Sequence, residues 1–459
     1  MTEKILELLE LKKYGELRRE LEELNPIDIA PFFDDLEGER RALLFRFLPK
    51  EFAAEVFIEL DADMQEALIK GFSDSELKEV IDDLYLDDAV DIIEEMPANV
   101  VKRILRQSDK ETRRRINELL NYPKDSAGSI MTPEFVDLKK DMTVEEAFAH
   151  IRKTAVDKET VYTCYCISAR RKLEGVVTVR ELLLADEKML ISELMETNVI
   201  SAGTLDDKED VARLLDKYDF SALPIVDKEN RLVGIVTFDD AMDVIEEENT
   251  EDIKKMAAII SSEDKPYLKV GIFETVKSRI PWLLILMLSA TFTGAIISGF
   301  ESKLKAIVVL TSFIPMLMGT GGNSGSQSSV TVIRSLSLDE IRAKDILKVI
   351  MKELRVGVLC GVALGIINFG KIMLLDHYLL GSFAGYSMEQ VIMINLTVCI
   401  TVALTVIVAK LVGCVLPIAA ESLKLDPAVM ASPFITTIVD AISLIIYFAI
   451  ANALLGAWM

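Results

Sequence analysis

A single acidic residue, Asp440, lies deep inside the most apolar stretch of the 459-residue sequence. Residues 427–459 contain no other charged residue over 33 positions. A carboxylate within a membrane span costs roughly 2.5–3.5 kcal/mol on insertion scales, so it normally faces a polar cavity or an ion path. We interpret Asp440 as a candidate ligand for an ion in transit. The alternative is a hydrogen-bonded Asp that only packs helices.

The stretch Gly319-Thr-Gly-Gly-Asn-Ser-Gly-Ser-Gln327 also places small and polar residues at membrane depth. Such residues are tolerated there where helices approach closely or where the backbone lines water. The stretch lacks the Gly-Lys-Ser/Thr ending of a phosphate-binding loop, which excludes nucleotide binding at this position.

A nine-residue pattern occurs twice at an offset of 59: Leu173-Glu-Gly-Val-Val-Thr-Val-Arg-Glu181 and Leu232-Val-Gly-Ile-Val-Thr-Phe-Asp-Asp240. Each copy follows an apolar run and predicts a strand-to-helix junction. Thr237 can donate to phosphate at a helix N-terminus, and Asp239 or Asp240 can accept from ribose hydroxyls. Arg180 can pair with phosphate. The alternative is that these residues simply cap helices.

Acidic residues recur at spacings that place them on one face of a helix. The groups are Asp87 with Asp91, Asp239 with Asp243, and Glu248 with Glu251 and Asp252. Carboxylates at this density repel one another unless divalent cations bridge them. We expect a cation sensor here; the alternative is that the acidity only keeps this part soluble.

Charge is divided unevenly along the chain. Residues 1–268 carry 37 Lys and Arg against 63 Asp and Glu, a net −26, whereas residues 269–459 carry 14 against 11. An acidic soluble part followed by membrane spans explains this pattern better than one globular core. It excludes a simple cytosolic enzyme and makes nucleic acid a poor partner and small cations good ones.

Histidine and cysteine offer little further chemistry. The only histidines are His150 and His377, so no His-x-x-x-His zinc site can be written. The five cysteines lack paired spacing and are interpreted as reduced packing residues. We do not expect an enzyme, because a membrane-embedded enzyme would need a nucleophile and a base at plausible spacing.

The elements that position these residues follow from periodicity. Residues 1–123 predict helices that end about every 24 residues, at Pro49, near Ser73, at Pro97 and at Pro123. Repeats of this length should stack as a superhelix, with an irregular bundle as the alternative. From Met131, short β-rich runs alternate with helices twice. Residues 241–268 then predict an acidic helix that couples the soluble part to the membrane, or a passive linker.

Five segments are apolar enough to predict membrane spans. They are residues 280–300, 306–333, 356–375, 390–409 and 427–459. Basic residues concentrate before the first span and between the second and third, which places the N-terminal part in the cytoplasm and the C-terminus outside. The first ten residues mix charges into a helical pattern and do not resemble a signal peptide.

The sequence resembles the MgtE family of magnesium channels over its whole length. The most specific segments are Tyr122-Pro-Lys-Asp-Ser-Ala-Gly-Ser-Ile-Met131, the stretch Gly319 to Gln327, and Asp426-Pro leading to Pro433-Phe-Ile-Thr-Thr-Ile-Val-Asp440. The resemblance implies a multidomain fold with an all-α superhelical N-terminal domain, an α/β pair of CBS domains, a connecting plug helix and a five-helix transmembrane domain. We predict these parts at residues 1–127, 128–245 (copies at about 128–190 and 191–245), 246–268 and 269–459.

The resemblance also implies roles for named residues. It implies a homodimer in a bacterial-type inner membrane, with a Mg²⁺ pore between subunits, Asp440 of both chains at the ion site and Asp426 at the cytoplasmic mouth. Regulatory Mg²⁺ would be bound by acidic residues: Glu55, Asp87, Asp91, Glu209, Asp219, Asp240, Asp243, Glu248, Glu251 and Asp252. ATP or a related adenine nucleotide would be bound between the CBS copies, by Arg180, Glu181, Phe220, Thr237 and Asp239.

The chemistry of Mg²⁺ fits the oxygen-rich, histidine-poor membrane part. Mg²⁺ gives up water reluctantly and prefers octahedral oxygen ligands, so a few carboxylates and carbonyls suffice to hold the hydrated ion. A broader carrier of Mn²⁺, Co²⁺ or Ni²⁺ with a CBS regulator is the main alternative. An anion carrier should show basic groups or helix N-termini at membrane depth instead of Asp440.

Overall fold

A computed structural model describes residues 2–34, 36, 38–260, 267–338, 340–430, 432–456 and 458. The chain divides into two compact units, Met1–Glu248 and Asn249–Met459. Residues 261–266 of the predicted connecting helix lie outside the described residues.

The first part of unit one is helical. Its helices are α1 (Thr2–Glu10), α2 (Tyr14–Glu22), α3 (Pro26–Ile29), α4 (Glu39–Phe47), α5 (Lys50–Ile58), α6 (Ala62–Gly71), α7 (Asp74–Asp83), α8 (Leu86–Glu95), α9 (Ala98–Gln107) and α10 (Lys110–Leu119).

A regular repeat governs these helices from α5 onwards. Their N-cap residues are Pro49, Asp61, Ser73, Tyr85, Pro97 and Asp109, one every 12 residues. Asp61, Ser73 and Asp109 accept hydrogen bonds from backbone N–H groups of the first helical turn, which fixes each start. Helices contact the helix two places further on, as α5 does α7 and α8 does α10. The predicted 24-residue unit is therefore a pair of helices of nine or ten residues each, and the superhelical stacking is confirmed.

Two three-stranded sheets follow, one for each copy of the repeated pattern. The strands are β1 (Val136–Leu138), β2 (Thr163–Ile167) and β3 (Leu173–Thr178) in the first copy, and β4 (Ala202–Gly203), β5 (Ala222–Val226) and β6 (Leu232–Thr237) in the second. The helices are α11 (Val144–Thr154), α12 (Val179–Leu184), α13 (Ile191–Leu194), α14 (Lys208–Tyr218) and α15 (Phe238–Met256).

The two copies exchange edge segments. Each sheet has the order first, second, third strand, with a parallel pair and then an antiparallel pair. Thr132, ahead of the first copy, pairs with Ile235 of β6, and Glu196, ahead of the second, pairs with Val176 of β3. The copies are therefore interlocked, and Tyr165 and Leu232 share one buried cluster between them.

Helix α15 is the last helix of the second copy and forms the first part of the predicted connecting helix, residues 246–268. It begins at Phe238, directly after β6, and ends at Met256, earlier than the pattern through residue 268 predicts. Ala258 has a left-handed backbone (φ 58°), and the Ile260 N–H donates to the Ser278 carbonyl at 2.9 Å. This reversal of the backbone ends the helix.

Unit two is helical. Its helices are α16 (Ile272–Gly299), α17 (Glu301–Ala306), α18 (Ile314–Ser337), α19 (Ile346–Lys371), α20 (Met388–Ser422) and α21 (Ser432–Leu455). A π-helical segment, Ile372–Leu379, continues α19, and a 3₁₀ turn, Pro427–Met430, precedes α21.

Four helical stretches among the described residues are long and apolar enough to cross a membrane: Ile272–Gly299, Ala343–Leu379, Met388–Ser422 and Pro427–Leu455. The remaining predicted span corresponds to α18, which has 24 residues. Its Gly, Ser, Thr, Asn and Gln residues make it less apolar than the others. Helix α20 packs against α18, α19 and α21, so the more polar α18 lies against the apolar helices.

Candidate functional site

The polar helix α18 approaches its neighbours very closely. A Cβ atom added to Gly413 of α20 would collide with the Gly325 carbonyl oxygen of α18. A Cβ atom on Gly325 would lie 2.8 Å from Ile435 Cγ2, and one on Gly322 would lie 3.0 Å from Thr436 Cγ2, both on α21. Only glycine permits these crossings, which explains the small residues at membrane depth.

Asp440 lies beside the crossing of α18 and α21. It is in the third turn of α21 and half-buried. Its helix neighbours Val439 and Ser443 are two of the three side chains that a Cβ atom on Gly321 would meet, at 3.0 and 2.9 Å; the third is Thr405 of α20 at 2.7 Å. Asp440 therefore lies at the edge of a close crossing of α18 and α21.

An exposed polar stripe runs along the other side of α18. Gly319, Asn323 and Gln327 are exposed and spaced by four residues, so they share one helix face. Amide side chains in contact with lipid tails would lose their hydrogen bonds to water. This face is suited to water or to another protein surface rather than to lipid.

Asp426 is paired in this structure. Its Oδ2 lies 2.6 Å from Lys255 Nζ of α15, and its Oδ1 accepts from the Ala428 N–H at 2.7 Å. Lys255 Nζ also lies 2.7 Å from Glu251 Oε1. Partial burial lowers the Lys255 pKa, but the hydrogen bonds to Asp426 and Glu251 outweigh burial and raise it.

Asp252, next to Glu251, belongs to the same group. Ser337 Oγ donates to its Oδ2 at 3.4 Å. Burial, followed by the charge of Asp426, raises the Asp252 pKa, while Lys255 opposes the rise. The structure thus gathers three of the predicted acidic residues around one ammonium group. Lys255 is not among the predicted site residues, because helical spacing relates the acidic residues only to one another.

A second acidic cluster forms where α8 meets the start of α15. Burial, followed by the charge of Asp240, raises the pKa of Asp88 to about 7 and the pKa of Glu159 to about 8. Burial likewise raises the pKa of Asp240 to about 6. Asp87 is only 8% exposed, and its pKa is raised well above the ordinary value by burial and by Asp240. The carboxylates of Asp87, Asp88, Glu159 and Asp240 therefore repel one another.

Other predicted residues lie at the edge of this cluster. Asp91 is exposed, yet its pKa is raised to about 7 by local desolvation and by Asp240. The Asp243 pKa is raised by burial and by Glu247. Across the part of the chain that the structure describes, no three His, Cys, Asp or Glu side chains group closely enough to hold a metal ion. The cluster therefore brings acidic side chains near one another, but the described residues do not form a closed coordination shell.

Sequence reasoning missed several members of the cluster. Glu134 and Glu159 belong to the first CBS copy, so no spacing within one helix relates them to α8. Glu134 Oε2 accepts from the Leu86 N–H at 3.2 Å, directly at the start of α8. Glu59, rather than the predicted Glu55, is the acid of its segment that acts on Asp88.

The remaining predicted regulatory residues have local roles in this structure. Glu55 is exposed on α5. Glu209 forms an ion pair with Arg213 on the same helix. Asp219 ends α14 in a left-handed conformation (φ 53°). Glu248 is half-buried on α15.

The two strand-to-helix junctions are built alike. Thr178 caps α12, and its Oγ1 donates to Glu181 Oε2 at 2.8 Å. At the equivalent place, Thr237 Oγ1 donates to Asp240 Oδ2 at 2.5 Å and the threonine is buried. The hydroxyl proton predicted to serve phosphate is therefore held by Asp240, which links this junction to the acidic cluster.

The other predicted nucleotide residues surround these junctions. Arg180 and Asp239 are exposed, each in the first turn of its helix. Phe220 is half-buried and stacks on Tyr218, with ring centroids 5.4 Å apart. An exposed guanidinium, an exposed carboxylate and an aromatic face are the groups that phosphate, ribose and base would require.

Comparison with protein families covers most of the chain. The family MgtE, described as a divalent cation transporter, matches residues 314–450. The MgtE intracellular N domain matches residues 24–125, and the CBS domain matches residues 127–188 and 191–247.

Individual relatives extend over nearly the whole length. The magnesium transporter MgtE of Thermus thermophilus is 38% identical over 445 residues, 96% of this chain and 95% of that protein. The magnesium transporter MgtE of Bacillus subtilis is 34% identical over 457 residues, 98% of this chain and 96% of that protein. A crystal structure of the cytosolic domain of the Mg²⁺ channel MgtE in complex with ATP aligns with a TM-score of 0.51 and 38% identity, and covers 53% of this chain and 100% of that one.

Proposed function

Because this chain belongs to the MgtE family of divalent cation transporters, we propose that it imports hydrated Mg²⁺ through a membrane pore at which Asp440 is the ion ligand. The observation that carries the proposal is the position of Asp440, half-buried beside the glycine-mediated crossing of α18 and α21. A carboxylate at that depth needs a cation or water to offset its desolvation.

The ligand set favours a hard, hydrated cation. The acidic and amide oxygens of unit two match the ligands that Mg²⁺ prefers, and one carboxylate can bind the ion through its water shell. The same oxygens also suit Mn²⁺, Co²⁺ and Ni²⁺. A broader divalent cation transporter is therefore the alternative that the experiment has to separate.

The pore is proposed to lie between two copies of the chain. The exposed stripe of Gly319, Asn323 and Gln327 supports this, because a second copy and an aqueous path would remove the amides from lipid. Two Asp440 carboxylates would then face one ion. The cytoplasmic side would be the side of the N-terminal unit, in agreement with the distribution of basic residues.

The acidic unit is proposed to close this pore when cytoplasmic Mg²⁺ is high. Mutual repulsion at Asp88, Glu159 and Asp240 supports this proposal, because divalent cations would relieve it and hold α8 against α15. Asp426 at the proposed pore mouth already binds α15 through Lys255, so a change in α15 can reach the mouth directly.

A nucleotide is proposed to modulate this response. The relative's cytosolic domain crystallised in complex with ATP supports an adenine nucleotide at the junctions of Arg180 and Asp239. Thr237 is hydrogen-bonded to Asp240. A nucleotide at Thr237 and a cation at Asp240 would therefore act on neighbouring groups.

The decisive experiment is uptake into liposomes that contain only the purified protein. Mg²⁺ uptake that Mn²⁺, Co²⁺ and Ni²⁺ do not match at equal concentration supports a selective magnesium channel. Equal uptake of all four ions supports the broader transporter, and no divalent uptake in correctly folded, inserted protein contradicts both.

A further inference from the structure

Three polar side chains from three different helices meet inside the membrane part. Ser328 of α18 is 2% exposed, Glu353 of α19 is 9% exposed and Lys410 of α20 is 6% exposed. Ser328 Oγ donates to Glu353 Oε2 at 2.6 Å. Lys410 Nζ donates to Ser328 Oγ at 3.4 Å and lies 4.0 Å from Glu353 Oε2.

The predicted span 390–409 ends directly before Lys410, so the sequence pattern alone does not indicate this network. In the structure, α20 continues for twelve residues beyond Lys410 to Ser422. At 1.5 Å per residue this places Lys410 about 18 Å from the end of the helix. The charge therefore lies well inside the helix, where it is buried and compensated by Glu353.

The network lies between two glycine-mediated crossings. Ser328 follows Gly325 by three residues and Lys410 precedes Gly413 by three, so both lie one turn from the α18–α20 contact. On the other side, a Cβ atom on Gly357 of α19 would lie 3.1 Å from the Ile407 backbone of α20 and 3.7 Å from Lys410 Cδ. The ion pair thus connects the contacts of α20 with both neighbouring helices.

Glycine crossings alone define a helix position weakly, since smooth surfaces of small residues can slide. A buried ion pair is costly to desolvate and is restored only in one relative placement of its helices. Gly325 also contacts Ile435 and Val439 of α21, immediately before Asp440. A shift of α18 along α20 would therefore change what surrounds the Asp440 carboxylate.

We propose that Glu353 and Lys410 are positioning residues for ion selection, which hold α18 in the one placement that sets the surroundings of Asp440. The inference rests on the proposed transport function. Mg²⁺ requires near-octahedral geometry, whereas the larger Ca²⁺ tolerates irregular geometry. Loss of the pair should therefore lower the preference for Mg²⁺ over Ca²⁺ more than it lowers total flux.

The test uses the full chain in liposomes, with Mg²⁺ and Ca²⁺ uptake and the thermal midpoint measured for each variant. E353Q and K410M each leave one buried charge uncompensated, and each should lower the thermal midpoint by about 10 °C. The double variant E353Q/K410M removes both charges and should recover most of that loss. Its Mg²⁺ to Ca²⁺ uptake ratio should nevertheless stay about tenfold below wild type, equivalent to ~1.4 kcal/mol.

A matched control neutralises an ion pair at the start of α19 whose lysine is exposed and whose aspartate is half-buried. Asp345 and Lys348 lie 2.7 Å apart, and the Lys348 side chain is 85% exposed. D345N/K348M should keep both the thermal midpoint and the uptake ratio of wild type.

A folded double variant with the wild-type ratio would overturn the proposal and leave the pair a stability element only. If the double variant does not fold, K410R provides the test, because its guanidinium keeps the charge but changes the geometry of the pair. A wild-type Mg²⁺ to Ca²⁺ uptake ratio in folded K410R would also overturn the proposal. Absence of any divalent uptake in the wild type would instead count against the proposed function, so the two failures are distinct.

Discussion

Lys255 Nζ stands between two carboxylates, 2.6 Å from Asp426 Oδ2 and 2.7 Å from Glu251 Oε1. The ammonium occupies a position in which a divalent cation could bridge the same two acids. It therefore stabilises the contact of α15 with Asp426 without any bound metal, and competes with a cation for the same oxygens.

Removal of this ammonium should make closure more dependent on Mg²⁺. In K255M, repulsion among Glu251, Asp252 and Asp426 should raise Mg²⁺ flux several-fold at low internal Mg²⁺, whereas high internal Mg²⁺ should still close the pore by bridging the acids. Flux measured against internal Mg²⁺ checks this. K254M, which removes the same charge one position away, is the control; identical curves for K255M and wild type would refute the role of Lys255.

Asp440 should be indispensable for transport. D440A removes the only carboxylate of its helix and should abolish Mg²⁺ flux, while the thermal midpoint stays near that of wild type because the side chain is only half-buried. D440N keeps an oxygen ligand without the charge, so it should retain some flux but lose preference for Mg²⁺ over Na⁺. Wild-type flux in a folded D440A variant would remove Asp440 from the ion path.

The acidic cluster should make unit one more stable at lower pH. Its carboxyl pKa values lie at about 6 for Asp240, about 7 for Asp88 and about 8 for Glu159, all above their ordinary values. The folded state therefore binds more protons than the unfolded state. Stability rises as pH falls from about 8 towards 6, and it is lost again as pH rises through these pKa values.

Residues 1–248, a compact unit, provide the measurement. Without Mg²⁺, the thermal midpoint should be about 5 °C higher at pH 6 than at pH 8. Millimolar Mg²⁺ should raise the midpoint more at pH 8 than at pH 6, because protons and cations relieve the same repulsion. D88N/E159Q should weaken the dependence of the thermal midpoint on both pH and Mg²⁺. If this double variant kept the wild-type pH dependence, the acidic cluster would not be its cause.

Nucleotide binding should depend on the exposed residues of the two junctions. D239A should weaken adenine nucleotide binding about tenfold by removing a ribose acceptor, and R180A should do the same by removing a phosphate partner. Calorimetry with ATP and AMP on residues 1–248 measures both. R170A, which removes an exposed arginine from the turn between β2 and β3, is the control. No heat and no thermal shift at millimolar nucleotide would leave the junctions with helix capping alone.

The sequence predicts much of this architecture because local patterns determine it. The offset of 59 between Gly175 and Gly234 identifies the two junctions, and the structure places both glycines in the last strand of their sheets. Asp440 can be recognised from the sequence alone, because a single charged residue in an apolar segment is unusual whatever its neighbours are.

Contacts between distant segments are what the sequence leaves undetermined. Glu159 joins the acidic cluster because the first CBS copy packs on α8. The spacing of residues within one helix cannot predict such a contact. Lys410 lies one position beyond the predicted span 390–409, and a buried lysine is predictable only once Glu353 is known to face it. The roles of Glu159 and Lys410 both depend on neighbours that are distant in the sequence.

The helical domain should be the part of the chain that senses Mg²⁺. Asp87 and Asp88 of α8 face Asp240 of α15, so cations that relieve this repulsion would hold the domain against the helix that continues to Lys255. Limited proteolysis of residues 1–248 should accordingly be slowed several-fold by millimolar Mg²⁺. D87N/D91N should lose most of this protection, whereas D82N/D83N, on the neighbouring α7, should keep it.

In flux measurements, a chain that lacks residues 1–123 should no longer be inhibited by internal Mg²⁺. Cleavage that Mg²⁺ does not change, together with full inhibition of the truncated chain, would move the sensor away from the helical domain and leave the group around Asp426 as the place where cations act.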